Sequence, residues 1–212
     1  MTEYADKGEE DRVLHIYTVP AGPLLANSYL LTQDDKDAVI IDCGGAEPLQ
    51  EAQRRGLTPR FVLLTHGHFD HIGGCAALQA AGAQVGCAEA ELQLLASSAN
   101  LASDMGLRIP PFRPDFTFRG GDELDLCGMR FSVIATPGHT PGGVTFRVGD
   151  ALFTGDTLFR ESVGRVDFPG GSGAQLRESI RRLLAIEGDL AVYPGHDEPT
   201  TLGHERKYNP FA

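Results

Sequence analysis

The sequence contains few cysteines, few basic residues and no long apolar segment, and each shortage disfavours a class of protein. The four cysteines form neither C-x-x-C pairs nor the spacing of a disulfide framework, which indicates reduced thiols. Lysine and arginine number 18 against 29 aspartates and glutamates, and the net charge of −11 disfavours a nucleic-acid partner. No run approaches the roughly 18 apolar residues of a membrane span. We therefore expect a cytoplasmic protein without a nucleic-acid or membrane partner.

Length and composition are those of an ordinary globular chain. The 212 residues can bury a substantial core, and hydrophobic residues make up 42% of them. Residues 1–12 are polar and acidic and contain no apolar signal-peptide core. We expect a flexible tail at residues 1–11, followed by a single domain at residues 12–212. The sequence does not indicate the oligomeric state.

Short apolar runs alternate with helical patterns along most of the chain. Runs bounded by turn residues predict strands at 13–17, 28–31, 38–42, 60–64, 84–87, 124–126, 129–136, 144–148, 151–154 and 190–193. Helical signals predict helices from near Pro48 to Gly56, from about Asp70 to Gly82, from Glu89 to Ser97 and from Ser172 to Gly188. Residues 100–114 lack periodicity and are expected to form a loop over the functional site. Strand clusters followed by helices predict an α/β fold of two packed sheets with helices outside.

Three of the seven histidines lie within one short segment, T-H-G-H-F-D-H at residues 65–71. His66 and His68 follow a buried strand, and side chains two apart on an extended chain point the same way. Asp70 and His71 begin the next predicted helix and would approach the same point from another side. Imidazole and carboxylate are ligands that zinc, iron and manganese accept, and a set without cysteine disfavours a closed structural zinc site. A turn of solvated histidines is the alternative, which such density at a strand end disfavours.

Three later strands also run into a glycine and then a residue that can bind a metal. These residues are His139, Asp156 and His196. Each alone is equally compatible with a capped turn, because Asp and His tolerate turns. Together with the first segment they supply seven ligands, which suit two ions that share a carboxylate. We expect one ion at His66, His68 and His139, a second at Asp70, His71 and His196, and Asp156 between them.

This set of residues resembles the metallo-β-lactamase superfamily, in which T-H-x-H-x-D-H, His139, Asp156 and His196 follow the same order. Asp42 falls where a structural aspartate usually ends an early strand of that family. The resemblance implies a four-layer αββα sandwich of two mixed sheets with helices on the outer faces. Within the superfamily, residues 153–159, 164–168 and 203–211 resemble the glyoxalase II-type hydrolases, in particular their short bacterial form.

The resemblance implies a binuclear metallo-hydrolase that acts on a thioester of the S-lactoylglutathione type through a metal-bridging hydroxide. Two divalent ions are implied, with zinc expected first and iron or manganese as alternatives. Asp70 would orient the attacking water and also bind the second ion. Arg165 matches a positive residue that contacts glutathione in the family and is the predicted substrate-binding residue. A salt bridge from Arg165 to Asp167 is an equally supported interpretation.

The sequence also departs from the glyoxalase II pattern. We expect no counterpart of the C-terminal helical domain that helps to hold glutathione in that family, and Asp167 and Glu198 stand where the family has tyrosines. A persulfide dioxygenase with one iron held by His66, His139 and Asp156 is an alternative, because that family shares the fold, the G-R-x-D-F segment and a His-Asp pair like that at 196–197. Glu198 counts against it, since that family tends to carry a tyrosine there. Lactonases, other ester hydrolases and a non-catalytic metal-binding module are further alternatives. A lactamase is disfavoured, because zinc-dependent ones usually place cysteine where Asp156 lies.

Overall fold

The computed structural model describes residues 13–212 and contains fourteen strands in this range. The tail predicted at residues 1–11 lies outside the described residues. The strands are β1 His15–Ala21, β2 Ala26–Thr32, β3 Asp37–Ile41, β4 Thr58–Leu63, β5 Gln84–Ala88, β6 Phe116–Phe118, β7 Glu123–Leu126, β8 Met129–Ala135, β9 Val144–Val148, β10 Ala151–Gly155, β11 Leu158–Phe159, β12 Ser162–Val163, β13 Ala191–Pro194 and β14 Thr200–Thr201.

Twelve of these strands form two mixed six-stranded sheets, and β11 and β12 form a separate hairpin. The first sheet has the order β1-β2-β3-β4-β5-β6, antiparallel from β1 to β3 and parallel from β3 to β6. The second has the order β14-β13-β10-β9-β8-β7. In it, β13 and β10 are parallel and the other neighbours antiparallel. The strands that precede the predicted ligands therefore end at one edge of each sheet.

The central strands are buried on both faces, which explains their nearly continuous apolar sequences. Val39 and Ile41 of β3 pack between the two sheets, whereas Ala38 and Ile40 face the other way. Successive side chains of a strand point to opposite faces, so a run without polar residues requires cover on both sides. Phe131, Phe146 and Phe153 of the second sheet, none of them accessible to solvent, fill the space between the sheets.

Helices cover the outer faces of both sheets and complete the predicted four-layer αββα sandwich. Ala52, Cys75 and Leu78 pack on the first sheet, and Leu183 and Leu202 pack on the second. In residues 13–212, no helix is long and apolar enough to cross a membrane. The helices are α1 Glu47–Arg55, α2 Phe69–Ile72, α3 Cys75–Ala80, α4 Leu92–Leu95, α5 Gly173–Leu184 and α6 Leu202–Tyr208.

The single helix predicted at 70–82 is wrong, because α2 and α3 are separated by Gly73 and Gly74. The loop after β3 passes so close that a Cβ atom on Gly74 would lie 1.9 Å from the carbonyl oxygen of Gly45. The N–H of Gly74 donates to the carbonyl of Cys43 at 2.7 Å. This tertiary contact overrides a local pattern that favours one continuous helix.

The helix predicted at 89–97 is also divided, into a 3-10 turn at Glu89–Glu91 and the short α4. Several short elements were not predicted: β6, β11, β12, β14 and α6. Strands of two or three residues carry too little periodicity to be recognised, and they depend on pairing partners distant in the chain. The loop predicted at 100–114 contains neither α-helix nor strand, although Asn100 ends a 3-10 turn at Ser98–Asn100, and Leu101 lies at the cleft described below.

Candidate metal centre

All seven predicted ligands lie together at one edge of the sandwich. The first sheet contributes the segment after β4, and the second contributes the residues after β8, β10 and β13. β8 runs in the same direction as β10, because two antiparallel steps separate them. The residues are His66, His68, Asp70, His71, His139, Asp156 and His196.

The first group consists of His66, His68 and His139, which are all buried. Each offers one nitrogen, and these three nitrogens lie within 4.8 Å of one another. Nδ1 of His68 is 2.8 Å from Nε2 of His139. The rings of His66 and His68 are nearly perpendicular, with centroids 4.9 Å apart. Three imidazole nitrogens that converge in this way can hold one cation.

The second group consists of Asp70, His71 and His196, whose donor atoms also lie within 4.8 Å of one another. Nε2 of His196 is 3.1 Å from Oδ2 of Asp70, and Nε2 of His71 is 3.8 Å from the same oxygen. Two ligands that lie about 2.0–2.1 Å from a tetrahedral ion are roughly 3.4 Å apart. The observed spacings are close to that value.

Asp156 lies between the two groups. Its Oδ1 is 3.4 Å from Nε2 of His71, and its Oδ2 is 3.5 Å from Nε2 of His139 and 3.7 Å from Nε2 of His196. One carboxylate therefore faces nitrogens of both groups. This is the geometry of a carboxylate that can contact two ions.

Asp42 supports the centre from behind and is not free to bind an ion itself. Its Oδ1 accepts the N–H of Thr65 at 2.8 Å. Its Oδ2 accepts the Thr65 hydroxyl at 2.7 Å and lies 2.8 Å from Nδ1 of His71. Asp42, His66 and His71 are close enough to suggest a third metal group. The hydrogen bonds occupy both Asp42 oxygens, so we assign Asp42 a supporting position.

Hydrogen bonds on the far side of the imidazole rings indicate which nitrogen is free. Nδ1 of His71 faces Asp42, and Nδ1 of His139 lies 2.7 Å from the carbonyl of Arg165. A ring that donates from Nδ1 keeps the Nε2 lone pair available for a metal. In both residues that free Nε2 points toward Asp156.

Buried atoms without hydrogen-bond partners show that the residues fit a cation. Nε2 of His66 and His71 and Oδ1 of Asp156 are inaccessible and make no hydrogen bond in the described structure, whereas His68 faces the first group with Nδ1. An unsatisfied buried polar group costs about 1–3 kcal/mol, more when it is charged. Divalent ions at the two groups would satisfy the inward-facing donors, and the ligand types suit zinc, iron or manganese.

The two groups differ in electrostatics. Burial, reinforced by His139, lowers the pKa of His68 to about 3, and burial with His71 lowers the pKa of His66 well below its usual value. Burial acts in the same direction on His71. The carboxylates of Asp156, Asp42 and Asp70 nevertheless outweigh it and raise the pKa of His71 well above the ordinary value.

The pKa of His196 is raised as well, because its hydrogen bond to Asp70 and the charge of Asp156 together outweigh burial. The pKa values of the Asp70 and Asp156 carboxyl groups are lowered. Burial favours the neutral acid, but the imidazoles around Asp156, His71 foremost, hold its pKa well below the usual range. His66 and His68 of the first group are thus weakly basic, whereas the imidazoles of the second group are paired with carboxylates.

Residues of β2 that the sequence did not single out hold the His196 loop. The amide of Asn27 donates to the carbonyls of Pro194 and Asp197 at 3.1 and 2.9 Å. The hydroxyl of Tyr29 donates to the Pro194 carbonyl at 2.5 Å. These contacts join residues more than 160 positions apart, and no local sequence pattern signals them.

A cleft of about 240 Å³ opens onto five of the seven residues, namely His68, Asp70, His139, Asp156 and His196. Its other walls are largely apolar and comprise Leu24, Phe69, Leu101, Phe159 and Phe168, with Arg165 at the margin. The guanidinium of Arg165 makes two hydrogen bonds to Asp167, at 2.9 and 2.6 Å, and lies 4.3 Å from the centroid of the Phe168 ring. Arg165 thus pairs with Asp167 and also borders the cleft. The structure is therefore compatible with both interpretations of Arg165, the salt bridge and the contact with substrate.

Comparison with known proteins agrees with this geometry. The sequence profile described as the metallo-β-lactamase superfamily matches residues 21–196. The hydroxyacylglutathione hydrolase GloC of Haemophilus influenzae is 39% identical over 207 residues, which cover 93% of this chain and 98% of the relative.

Two solved structures are also similar. The BLEG-1 B3 metallo-β-lactamase has a TM-score of 0.87 and 39% identity, and the match covers 93% of this chain and 99% of that one. TTHA1623 in a di-iron-bound form has a TM-score of 0.81 and 40% identity, with 92% and 100% covered. Because the family profile spans every strand end that carries one of the seven residues, and the relatives match over nearly the whole chain, this protein belongs to the metallo-β-lactamase superfamily.

Proposed function

We propose that this protein is a hydrolase that uses two divalent metal ions to cleave thioesters. His66, His68 and His139 would hold the first ion, and Asp70, His71 and His196 the second. The observation that carries the proposal is the position of Asp156, whose two oxygens face nitrogens of both groups at 3.4–3.7 Å. The similarity to a hydroxyacylglutathione hydrolase over nearly the full length of both chains supports the thioester substrate.

Besides the metal ions, the groups that thioester hydrolysis would need are present in the cleft. When bound, two divalent ions lower the pKa of a shared water to roughly 7 and polarise a carbonyl oxygen. Asp70 would orient the attacking water, since its carboxylate lies at the cleft with its pKa below the ordinary value despite burial, mainly through His71. The apolar walls at Phe159 and Phe168 would exclude bulk water from the reacting carbonyl. No Ser or Cys nucleophile is needed.

We propose that this protein recognises the glutathione moiety of a thioester substrate only weakly. Arg165 is the cation at the cleft margin, and its guanidinium is already paired with Asp167. Glu198, which follows His196 by two positions, pairs with Arg160 at 2.9 Å. Carboxylates at both positions repel the two carboxylates of glutathione. S-lactoylglutathione is therefore proposed as a substrate of modest kcat/KM.

Two other activities each have one supporting observation. The di-iron form of TTHA1623 supports iron as the metal, and a single iron at His66, His139 and Asp156 would suit a persulfide dioxygenase. This chain is 39% identical to a protein described as a B3 metallo-β-lactamase. β-Lactams therefore remain candidate substrates, although Asp156 stands where zinc-dependent lactamases usually have cysteine. Both activities belong in any substrate screen.

The decisive measurement is elemental analysis of the purified protein together with a substrate screen. We expect close to two equivalents of divalent metal and hydrolysis of both S-lactoylglutathione and smaller, less anionic thioesters at comparable kcat/KM. One equivalent of iron with oxygen uptake on glutathione persulfide would replace this proposal with the dioxygenase. Faster turnover of a β-lactam than of any thioester would replace it with a lactamase.

Substitution of the proposed ligands should remove metal selectively. Asp156→Ala removes a ligand common to both ions, so we expect loss of at least one equivalent of metal and nearly all activity. His196→Ala should retain the first ion, whereas His68→Ala should lose it. Asp150→Ala, an exposed carboxylate before the same strand, is the control and should keep wild-type metal content. Unchanged metal stoichiometry in Asp156→Ala would contradict the shared-ligand assignment.

Acidification should release the second ion before the first. The pKa values of His71 and His196 are raised, so protons compete for their ligand nitrogens at higher pH than at His66 and His68, whose pKa values are lowered. Because metal must displace these protons, we expect the metal-to-protein ratio to fall from two toward one as the pH is lowered through the raised pKa values of His71 and His196. Dialysis followed by elemental analysis measures this. His196→Ala is the control, because it should hold only the first ion, and its metal-to-protein ratio should stay nearly constant over this range. Simultaneous loss of both ions from the wild type would contradict the prediction.

Arg165 and Asp167 should have opposite effects on an anionic substrate. An exposed ion pair is worth about 0–1 kcal/mol, so an anionic thioester can displace Asp167 from Arg165 at small cost. Arg165→Ala should raise KM for S-lactoylglutathione about two- to fivefold, and Asp167→Asn should lower it by a similar factor. Metal content and KM for a neutral thioester should not change. Arg181→Ala on α5 is the control, and equal KM changes for neutral and anionic substrates would assign Arg165 a structural role.

A further inference from the structure

Glu91 is a buried carboxylate immediately behind the first group of ligands. It ends the 3-10 turn at Glu89–Glu91 and is only 1% exposed, although Glu89 on the same turn is exposed. A buried carboxylate costs several kcal/mol unless its oxygens are hydrogen-bonded. A carboxylate at this buried position therefore needs hydrogen-bond donors for both of its oxygens.

The two oxygens of Glu91 accept hydrogen bonds from two different ligand-bearing loops. Oε2 accepts the N–H of Gly67 at 2.8 Å, and Gly67 lies between His66 and His68. Oε1 accepts the N–H of Gly142 at 2.6 Å, in the loop that carries His139. One side chain thus connects the only two segments that supply histidines to the first group. The second group has no contact of this kind with Glu91 among its hydrogen bonds in the described structure.

The chemistry of these contacts requires a carboxylate. Both oxygens must accept, and a glutamine offers one accepting oxygen and an NH₂ group that would oppose the second N–H. Burial raises the pKa of the Glu91 carboxyl, and the Thr140 side chain and the N–H groups of Gly142 and Gly67 offset only part of this increase. Hydrogen bonds to an ionised acceptor are about twice as strong as neutral ones.

The geometry of Gly142 shows how closely the loop approaches. A Cβ atom at this position would lie 2.8 Å from Oε1 of Glu91 and 2.8 Å from its backbone nitrogen. Any side chain on residue 142 would therefore push the His139 loop away from the carboxylate. This offers a way to break the contact without changing Glu91.

We propose that Glu91 is a positioning residue that holds the His66–His68 segment and the His139 loop at the separation required by the first metal ion, and so sets the affinity for that ion. The proposal rests on the proposed assignment of these three histidines to one ion and does not depend on the substrate. Loss of a residue that orients metal ligands typically lowers metal affinity about 10–100-fold. The second ion should be unaffected.

The test measures each ion separately. Metal-free protein carrying His196→Ala is titrated with cobalt(II) in competition with a chelator, and the visible absorption of the bound ion reports its coordination geometry. In this background Glu91→Gln should weaken cobalt binding about 10–100-fold and alter the spectrum. Glu89→Gln, on the same turn but exposed and paired with Arg119, is the matched control and should bind as the parent does. In a His68→Ala background, Glu91→Gln should leave second-ion affinity within about twofold.

Gly142→Ala tests the same contact from the opposite side and should reproduce the loss of first-ion affinity with the carboxylate intact. Circular dichroism of the metal-free proteins verifies folding. Undiminished first-ion affinity in Glu91→Gln, or equal weakening of both ions, would overturn the proposal. Failure of both Glu91→Gln and Gly142→Ala to fold, with Glu89→Gln folded, would also overturn it, since Glu91 would then support the whole domain. If the control itself bound no cobalt, the proposed metal site would be at fault, independently of Glu91.

Discussion

The hydrogen bonds of Asp42 are the interaction on which the arrangement of the centre depends. Asp42 ends β3 with a left-handed φ of 57°, an uncommon conformation for a residue other than glycine. Its carboxylate then reaches the backbone and hydroxyl of Thr65 at the end of β4 and the imidazole of His71 in α2. The end of one strand, the start of the metal-binding segment and helix α2 are thereby fixed to a single carboxylate. An isolated negative charge would be costly at 2% exposure, and these donors compensate it.

The two proposed ion positions differ in the charged and polar groups that surround them. Behind the first group stand a hydroxyl, a peptide carbonyl and the carboxylate of Glu91, which contacts backbone N–H groups of the loops and not the imidazoles themselves. Behind the second stands the charged Asp42, and Asp70 belongs to the group itself. The second position therefore has the more negative surroundings, while the first is built mainly from neutral imidazoles. Two cations in contact with one Asp156 would consequently experience different fields.

Much of the centre could be predicted from sequence because its information is local. Each ligand stands next to a glycine or within one dense segment at the end of an apolar strand, and such strand ends converge in a two-sheet fold. Asn27, Tyr29 and Glu91 could not be found in this way. Their partners are backbone groups far away in the chain, and nothing in the local pattern distinguishes Glu91 from the exposed Glu89. The break at Gly73 and Gly74 was missed for the same reason, since it depends on the approach of another loop. For Arg165 the sequence left two interpretations, and the structure contains the ion pair with Asp167 beside the cleft.

Each proposed ion takes ligands from both sheets of the sandwich. The first would join His66 and His68 of one sheet to His139 of the other, and the second would join Asp70 and His71 to His196. Backbone hydrogen bonds from Val144 to Thr65 and from Asn27 to Gly195 cross the same boundary. Neither half of the fold could therefore assemble a complete coordination sphere alone. A complete coordination sphere can form only once the two halves have docked, and ions bound there would hold the halves together.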